Sequence, residues 1–156
     1  MTESPWLRRA IAIATENVTS GMGGPFGAVI TKGGELIAEG VNRVTTSCDP
    51  TAHAEIGAIR RAAIALNTHD LSGCEIYASC EPCPMCLGAI LWARLDRVWY
   101  AATQEQAAAA GFDDSLFYTQ MALSPDQRVV PMNFVPGGGA DEPFLAWQQF
   151  SAKVPY

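Results

Sequence analysis

Cys83-Pro84-Met85-Cys86 constrains the fold of this chain more than any other stretch. Proline is tolerated at the first position of a helix but not in its interior or in a central strand. A helix therefore opens at Pro84, Cys83 becomes its N-cap, and Cys86 shares a helical face with Cys83. Residues 74–79 before it and 97–101 after it are short apolar runs that predict strands. Two strands joined by one helix over residues 84–93 pair in parallel through a right-handed crossover.

The remaining elements follow from the same punctuation. Ser4-Pro5 caps a helix whose apolar residues Trp6, Leu7, Ala10, Ile11, Ala14 and Val18 predict an amphipathic span over 5–19. Gly21 to Pro25 ends it. The runs 26–31 and 35–42 flank Lys32-Gly33-Gly34 and predict a β-hairpin. Residues 44–50 predict a polar loop, and 51–66 an alanine-rich helix with Ile56, Ile59, Ala63 and Leu66 on one face. A short helix is expected over 104–110, a fifth strand over 129–135, and a final helix over 143–152 capped by Asp141. Pro136 to Gly139 is a flexible joint before that helix. The fold class is α/β: a three-layer α/β/α sandwich with a mixed five-stranded sheet. The length of 156 residues points to a single domain.

Composition narrows the function. The 10 basic and 16 acidic residues leave a formal charge of −6, the wrong sign for general phosphate-backbone binding, so no nucleic-acid partner is expected. No apolar run approaches the roughly 20 residues that cross a bilayer. The first residues lack the basic and apolar regions of a signal peptide, so a cytoplasmic protein is expected. Five cysteines, an odd number, do not form a disulfide framework in that compartment. Thiols, metal ligands or core residues are the better readings.

His53-Ala54-Glu55 opens the helix over 51–66, and the cysteine motif opens the helix over 84–93. Both stand at the same end of the sheet, where open α/β folds place their ligands. At a helix start the Cys83 and Cys86 sulfurs sit near unpaired N–H groups and the positive dipole end, which favours thiolates. One histidine and two thiolates suit Zn²⁺ and leave a fourth tetrahedral position open. That opening marks a catalytic site. Glu55 can approach a water on the metal without ligating it and can move its proton. A structural zinc site would need a fourth ligand from His69, Cys48, Cys74 or Cys80, and the last two share one strand face as expected core thiols.

Together the two motifs read H-x-E…P-C-x-x-C, and the sequence here resembles the cytidine deaminase superfamily. The segments 23–30, 49–55, 79–90 and 110–115, with the Phe-x-x-Trp helix and terminal Tyr156, look like bacterial guanine deaminases of the small zinc type. The resemblance spans nearly the whole chain. It implies hydrolysis of guanine to xanthine and ammonia with one Zn²⁺ per subunit. His53, Cys83 and Cys86 would hold the metal, and Glu55 would shuttle the proton. The backbone N–H groups of Ala54 and Cys83 are suited to hold developing negative charge.

The resemblance also implies a pocket. Phe26 would stack on a flat base; otherwise it is a core aromatic. Asn42 offers a donor and an acceptor to a purine edge; otherwise it caps a turn. Asp114 resembles the acidic residue near the departing amino group; otherwise Asp113 or Asp114 caps a turn. Trp92 and Tyr156 would come from a neighbouring subunit, although Trp92 can equally pack an interface. The joint at 136–139 allows a homodimer in which residues 140–156 are exchanged between chains. Guanosine deaminase and transfer-RNA adenosine deaminase are the alternatives. The first needs room for a ribose and the second a basic surface, which this acidic chain lacks.

Overall fold

The computed structural model describes residues 4–156. The elements run α1 (Pro5–Thr19), β1 (Gly27–Lys32), β2 (Glu35–Val41), α2 (Val44–Ser47), α3 (Ala54–Leu66), β3 (Cys74–Cys80), α4 (Pro84–Trp92), β4 (Arg97–Ala102), α5 (Gln104–Ala109), α6 (Ser115–Ala122) and α7 (Glu142–Gln149), with a 3₁₀ turn at Pro125–Gln127. They form two compact units, residues 1–114 and 115–156.

In the first unit the sheet order is β2-β1-β3-β4. β1 runs antiparallel to both β2 and β3, and β3 runs parallel to β4 through α4. β1 is buried from Gly27 to Thr31 because both its faces are covered. Its side chains alternate: Ala28 and Ile30 pack with Ala54, Ala58 and Ala62 of α3 and Ile90 of α4, while Val29 packs with Ala10 and Ile13 of α1. These are the three expected layers. α1 meets the sheet through Ala10, Ile13, Ala14 and Asn17, an i, i+3, i+4, i+7 stripe that ends on a polar residue.

α3 lies unusually close to β2. A β-carbon at Gly40 would collide with the backbone oxygen of Ala54 and the backbone nitrogen of Ala58. Only glycine permits that approach, which sets the first turn of α3 directly over the end of the hairpin. The helix begins at Ala54 rather than Thr51, because Thr51 instead bonds the Asp49 carboxylate through its N–H (2.8 Å) and hydroxyl (2.7 Å). The expected loop over 44–50 contains the single turn α2, and Cys48 closes it in the left-handed region at φ 50°.

The sheet has four strands, not the five expected. Residues 129–135 form no strand, although valine and phenylalanine favour one. Pro131 removes a ladder donor from the middle of the segment. Its neighbours bond locally: the Val129 N–H donates to Gln120 Oε1 and the Met132 N–H to the Pro125 carbonyl. The segment stays exposed within its unit, with Phe134 at 89%. α6 is an element the sequence reading did not anticipate. Leu116, Phe117 and Tyr118 are consecutive, so the helix shows no single apolar stripe.

Candidate active site

His53 and Cys83 are both N-caps in extended conformation, at φ −72° and −65°. Each therefore turns its side chain past the end of its helix. α3 and α4 share one buried cluster on the same sheet face, which brings the two ends together. His53 Nδ1 lies 3.6 Å from Cys83 Sγ and 3.4 Å from Cys86 Sγ. One ligand atom from each of the three residues falls within 4.8 Å of the others. Glu55, one residue into α3, is buried beside Cys86 at 7% exposure. Ahead of α3, the Arg43 N–H donates to the Ala52 carbonyl at 2.9 Å and ties the approach to His53 to the end of β2.

Residues 1–102 match the model of the cytidine and deoxycytidylate deaminase zinc-binding region. The chain belongs to this deaminase family. It is 51% identical to the guanine deaminase of Bacillus subtilis (strain 168) over 156 residues, 100% of both chains. The X-ray structure of the guanine deaminase from Bacillus subtilis superposes with a TM-score of 0.96, covering 100% of this chain and 99% of that one. A solved guanine deaminase from Nitrosomonas europaea matches at 36% identity and a TM-score of 0.67, over 73% of this chain and 67% of its own. The tRNA-specific adenosine deaminase of Aquifex aeolicus is 45% identical over 82 residues, 53% of this chain and 54% of that one.

The donor set of this deaminase fits zinc. Tetrahedral zinc with usual Zn–S and Zn–N bond lengths separates sulfur from nitrogen by about 3.6 Å. The two observed separations, 3.6 and 3.4 Å, need almost no adjustment. Electrostatics point the same way. The Cys83 thiol is pulled down to about 4, first by the hydrogen bond from the Cys86 thiol, then by His53 and the Cys86 backbone N–H. Cys86 is pushed up because Cys83 already carries the charge and because Cys86 is buried. His53 is raised, chiefly by its bond to Cys83. Burial raises Glu55 above the ordinary carboxylate range. Two thiol groups thus share one negative charge, and a cation is the group that allows both to ionise.

A pH dependence follows. Zinc uptake displaces the Cys86 proton throughout the neutral range and none from Cys83. Below the raised value of His53 a second proton must leave the imidazole. As pH is lowered, apparent zinc affinity should therefore fall about tenfold per unit while His53 is neutral and about a hundredfold per unit once it is protonated. Proton release measured by titration calorimetry in buffers of different ionisation enthalpy checks this. A release that did not increase as pH is lowered through the titration of His53 would contradict it.

The other expected site residues fall as follows. Phe26 packs against the core and meets Phe112 edge-to-face, with centroids 4.9 Å apart at 87°, so its core role is real. Asn42 is buried, and its Oδ1 accepts from the Gly24 N–H (3.2 Å) and the Val44 N–H (3.3 Å). The turn-capping alternative thus accounts for the oxygen, and only the NH₂ remains to face a ligand. Asp114 has a buried Oδ1 without a partner among the described residues. The Cys80 thiol, raised to about 11 mainly by burial, also feels Glu55 and Asp114, so the two carboxylates flank one strand end. Ala54 is buried at the first turn of α3. Trp92 ends α4 at 67% exposure. Tyr156 belongs to the second unit. Sequence reading missed Asn17 and Phe112. The signal for Asn17 was available: a polar residue on the apolar stripe of α1.

Proposed function

We propose that this chain hydrolyses guanine to xanthine and ammonia. The observation that carries the reading is the full-length likeness to a guanine deaminase, which continues past residue 102 through the Gly111-Phe112-Asp113-Asp114 segment. His53, Cys83 and Cys86 would hold a zinc ion, which would supply the Lewis acidity that lowers the pKa of water to about 7. Glu55 takes the proton of the attacking water and passes it to the ring nitrogen beside carbon 2. Its raised pKa suits it to holding that proton before release. Glu55 then takes the proton of the new hydroxyl on carbon 2 and delivers it to the 2-amino group, and the C–N bond breaks to release ammonia. The unpartnered Asp114 oxygen is a ready acceptor for that departing group. The Ala54 and Cys83 N–H groups, at helix starts, stabilise developing negative charge. Phe26, braced by Phe112, offers a surface for the base, and the Asn42 NH₂ donates to an acceptor on its edge.

Ammonia release assayed in parallel with guanine, guanosine, cytosine and adenine tests this. Rapid turnover of guanine, lost on chelation and restored by zinc, is expected. Turnover of guanosine alone, or of none of the four, would overturn the substrate.

The working unit in this reading is a homodimer in which residues 140–156 are exchanged and Trp92 and Tyr156 close the partner's pocket. Gly137, Gly138 and Gly139 all have positive φ, a turn that few other residues could hold. Within the second unit Phe134, Phe144 and Val154 are exposed, an apolar surface in need of cover. Light scattering at micromolar concentration should give the dimer mass. A monomer mass would refute the exchange.

A further inference from the structure

Asn17 sits at 3% exposure on the face that α1 turns to the sheet, where the preceding contacts are Ala10, Ile13 and Ala14. Burying an amide there is unfavourable unless its hydrogen bonds are used. Its Nδ2 donates to the Gly24 carbonyl at 2.9 Å and to the Asn42 carbonyl at 2.8 Å, while its buried Oδ1 has no partner among the described residues. Both acceptors are backbone oxygens, so the amide has only one satisfactory orientation. One side chain thereby ties the glycine turn before β1 to the residue after β2, 18 positions further along.

That tie has a consequence for Asn42. The Gly24 N–H donates back to Asn42 Oδ1, and the Val44 N–H donates to the same oxygen from the other side. Two donors fill both lone pairs of a carbonyl oxygen. The Asn42 carboxamide cannot flip without breaking both bonds. The space for this arrangement is tight: a β-carbon at Gly23 would collide with the Asn42 carbonyl oxygen and come within 2.9 Å of Asn17 Nδ2. The nearby turn is held independently by Arg43 and Thr46, both donating to the Met22 carbonyl at 3.0 Å. Loss of Asn17 therefore frees the Gly24 side of the clamp without releasing the whole turn.

We infer that Asn17 is a positioning residue: by clamping Gly24 to Asn42 it holds the Asn42 NH₂ in the one orientation that can donate to the substrate. The inference rests on the reading that Asn42 faces the base. Asn17→Ala should raise the KM for guanine about tenfold, the worth of one misdirected hydrogen bond, and leave kcat within about threefold. Zinc content should stay stoichiometric. Asn17→Ser retains a single donor and should give an intermediate KM; it also serves if the alanine variant fails to fold. Ile13→Val, on the same stripe of α1, is the control for loss of packing and should lower thermal stability with KM unchanged.

Asn42→Ala is measured alongside. If it leaves KM unchanged, Asn42 does not read the base, and the reading of the pocket fails together with this inference. If Asn42→Ala raises KM and neither Asn17 variant does, the positioning role alone is overturned. A KM rise in Ile13→Val equal to that in Asn17→Ala would likewise overturn it, because general loosening of α1 would then suffice. Amide hydrogen exchange gives a readout independent of turnover: the Gly24 N–H should exchange faster in Asn17→Ala while the β1 amides keep their protection. Unchanged Gly24 exchange would contradict the clamp.

Discussion

Glu55→Gln is expected to keep its zinc and lose nearly all turnover. The substitution preserves shape and removes only the ability to take up and release a proton. General acid–base groups contribute about 10²- to 10⁴-fold, and in the proposed reaction one carboxylate serves both proton transfers, so the loss should reach or exceed the upper figure. The metal should remain at one per chain, because the ligand cluster is His53, Cys83 and Cys86 without Glu55. Stability should not suffer. Burial raises Glu55, so the folded state binds its proton more tightly than the unfolded state. The carboxylate therefore costs stability progressively as pH rises from the ordinary carboxylate range through the raised value. A neutral amide removes that cost, and the melting temperature of the metal-free variant at neutral pH should equal or exceed that of the parent. Metal analysis, steady-state kinetics and thermal melts on one preparation check all three. Near-normal turnover would remove Glu55 from the mechanism.

Cys86→Ser should separate metal binding from folding. Serine is nearly the same size as cysteine, so the fully buried position keeps its packing. Its hydroxyl does not ionise near neutrality and is a poor zinc ligand. Structural zinc sites gain about 10–16 kcal/mol from four protein ligands, roughly 3 kcal/mol each, so losing one ligand here should cost about two orders of magnitude in affinity. Turnover should vanish after dialysis against a chelator and should return only at zinc concentrations about a hundredfold above those that reload the parent. The helical circular dichroism should persist, because α4 is anchored by Ile90 and Ala93 in the main buried cluster. Loss of that signal would mean that the metal, rather than packing, holds α4 in place.

The contrast between these variants reflects how differently parts of the chain could be read. The ligand geometry was legible because each half is local. Pro84 sets the helix start, which makes Cys83 an N-cap and puts Cys86 three residues along on the same face. α1, the hairpin and β3 follow from short-range periodicity and from Pro and Gly punctuation, and the structure reproduces them within a residue or two. Residues 129–135 show the limit. Their apolar content favours a strand, yet a strand exists only where a neighbour offers a ladder, and Pro131 withholds a donor in the middle. α6 escaped notice for the converse reason, since its apolar side chains circle the helix.

Asn42 and Asn17 lie beyond any local rule. Asn42 looked able to donate and accept because a side chain read alone keeps all its bonding capacity. Gly24, 18 residues away, takes up part of its oxygen, and Val44 takes up the rest. Asn17 looked like one more polar residue near a helix end until its two carbonyl partners came into view. The sequence by itself determined the His53, Cys83 and Cys86 set, the position of Glu55 beside it and the αβ order that brings them to one sheet end, because these depend on contacts within a few residues. The tertiary structure alone decided the strand number, the burial of Glu55 and the use of the Asn42 oxygen by two backbone N–H groups. Those depend on hydrogen-bond partners and apolar cover supplied from distant parts of the chain, and no local pattern records which distant group will arrive.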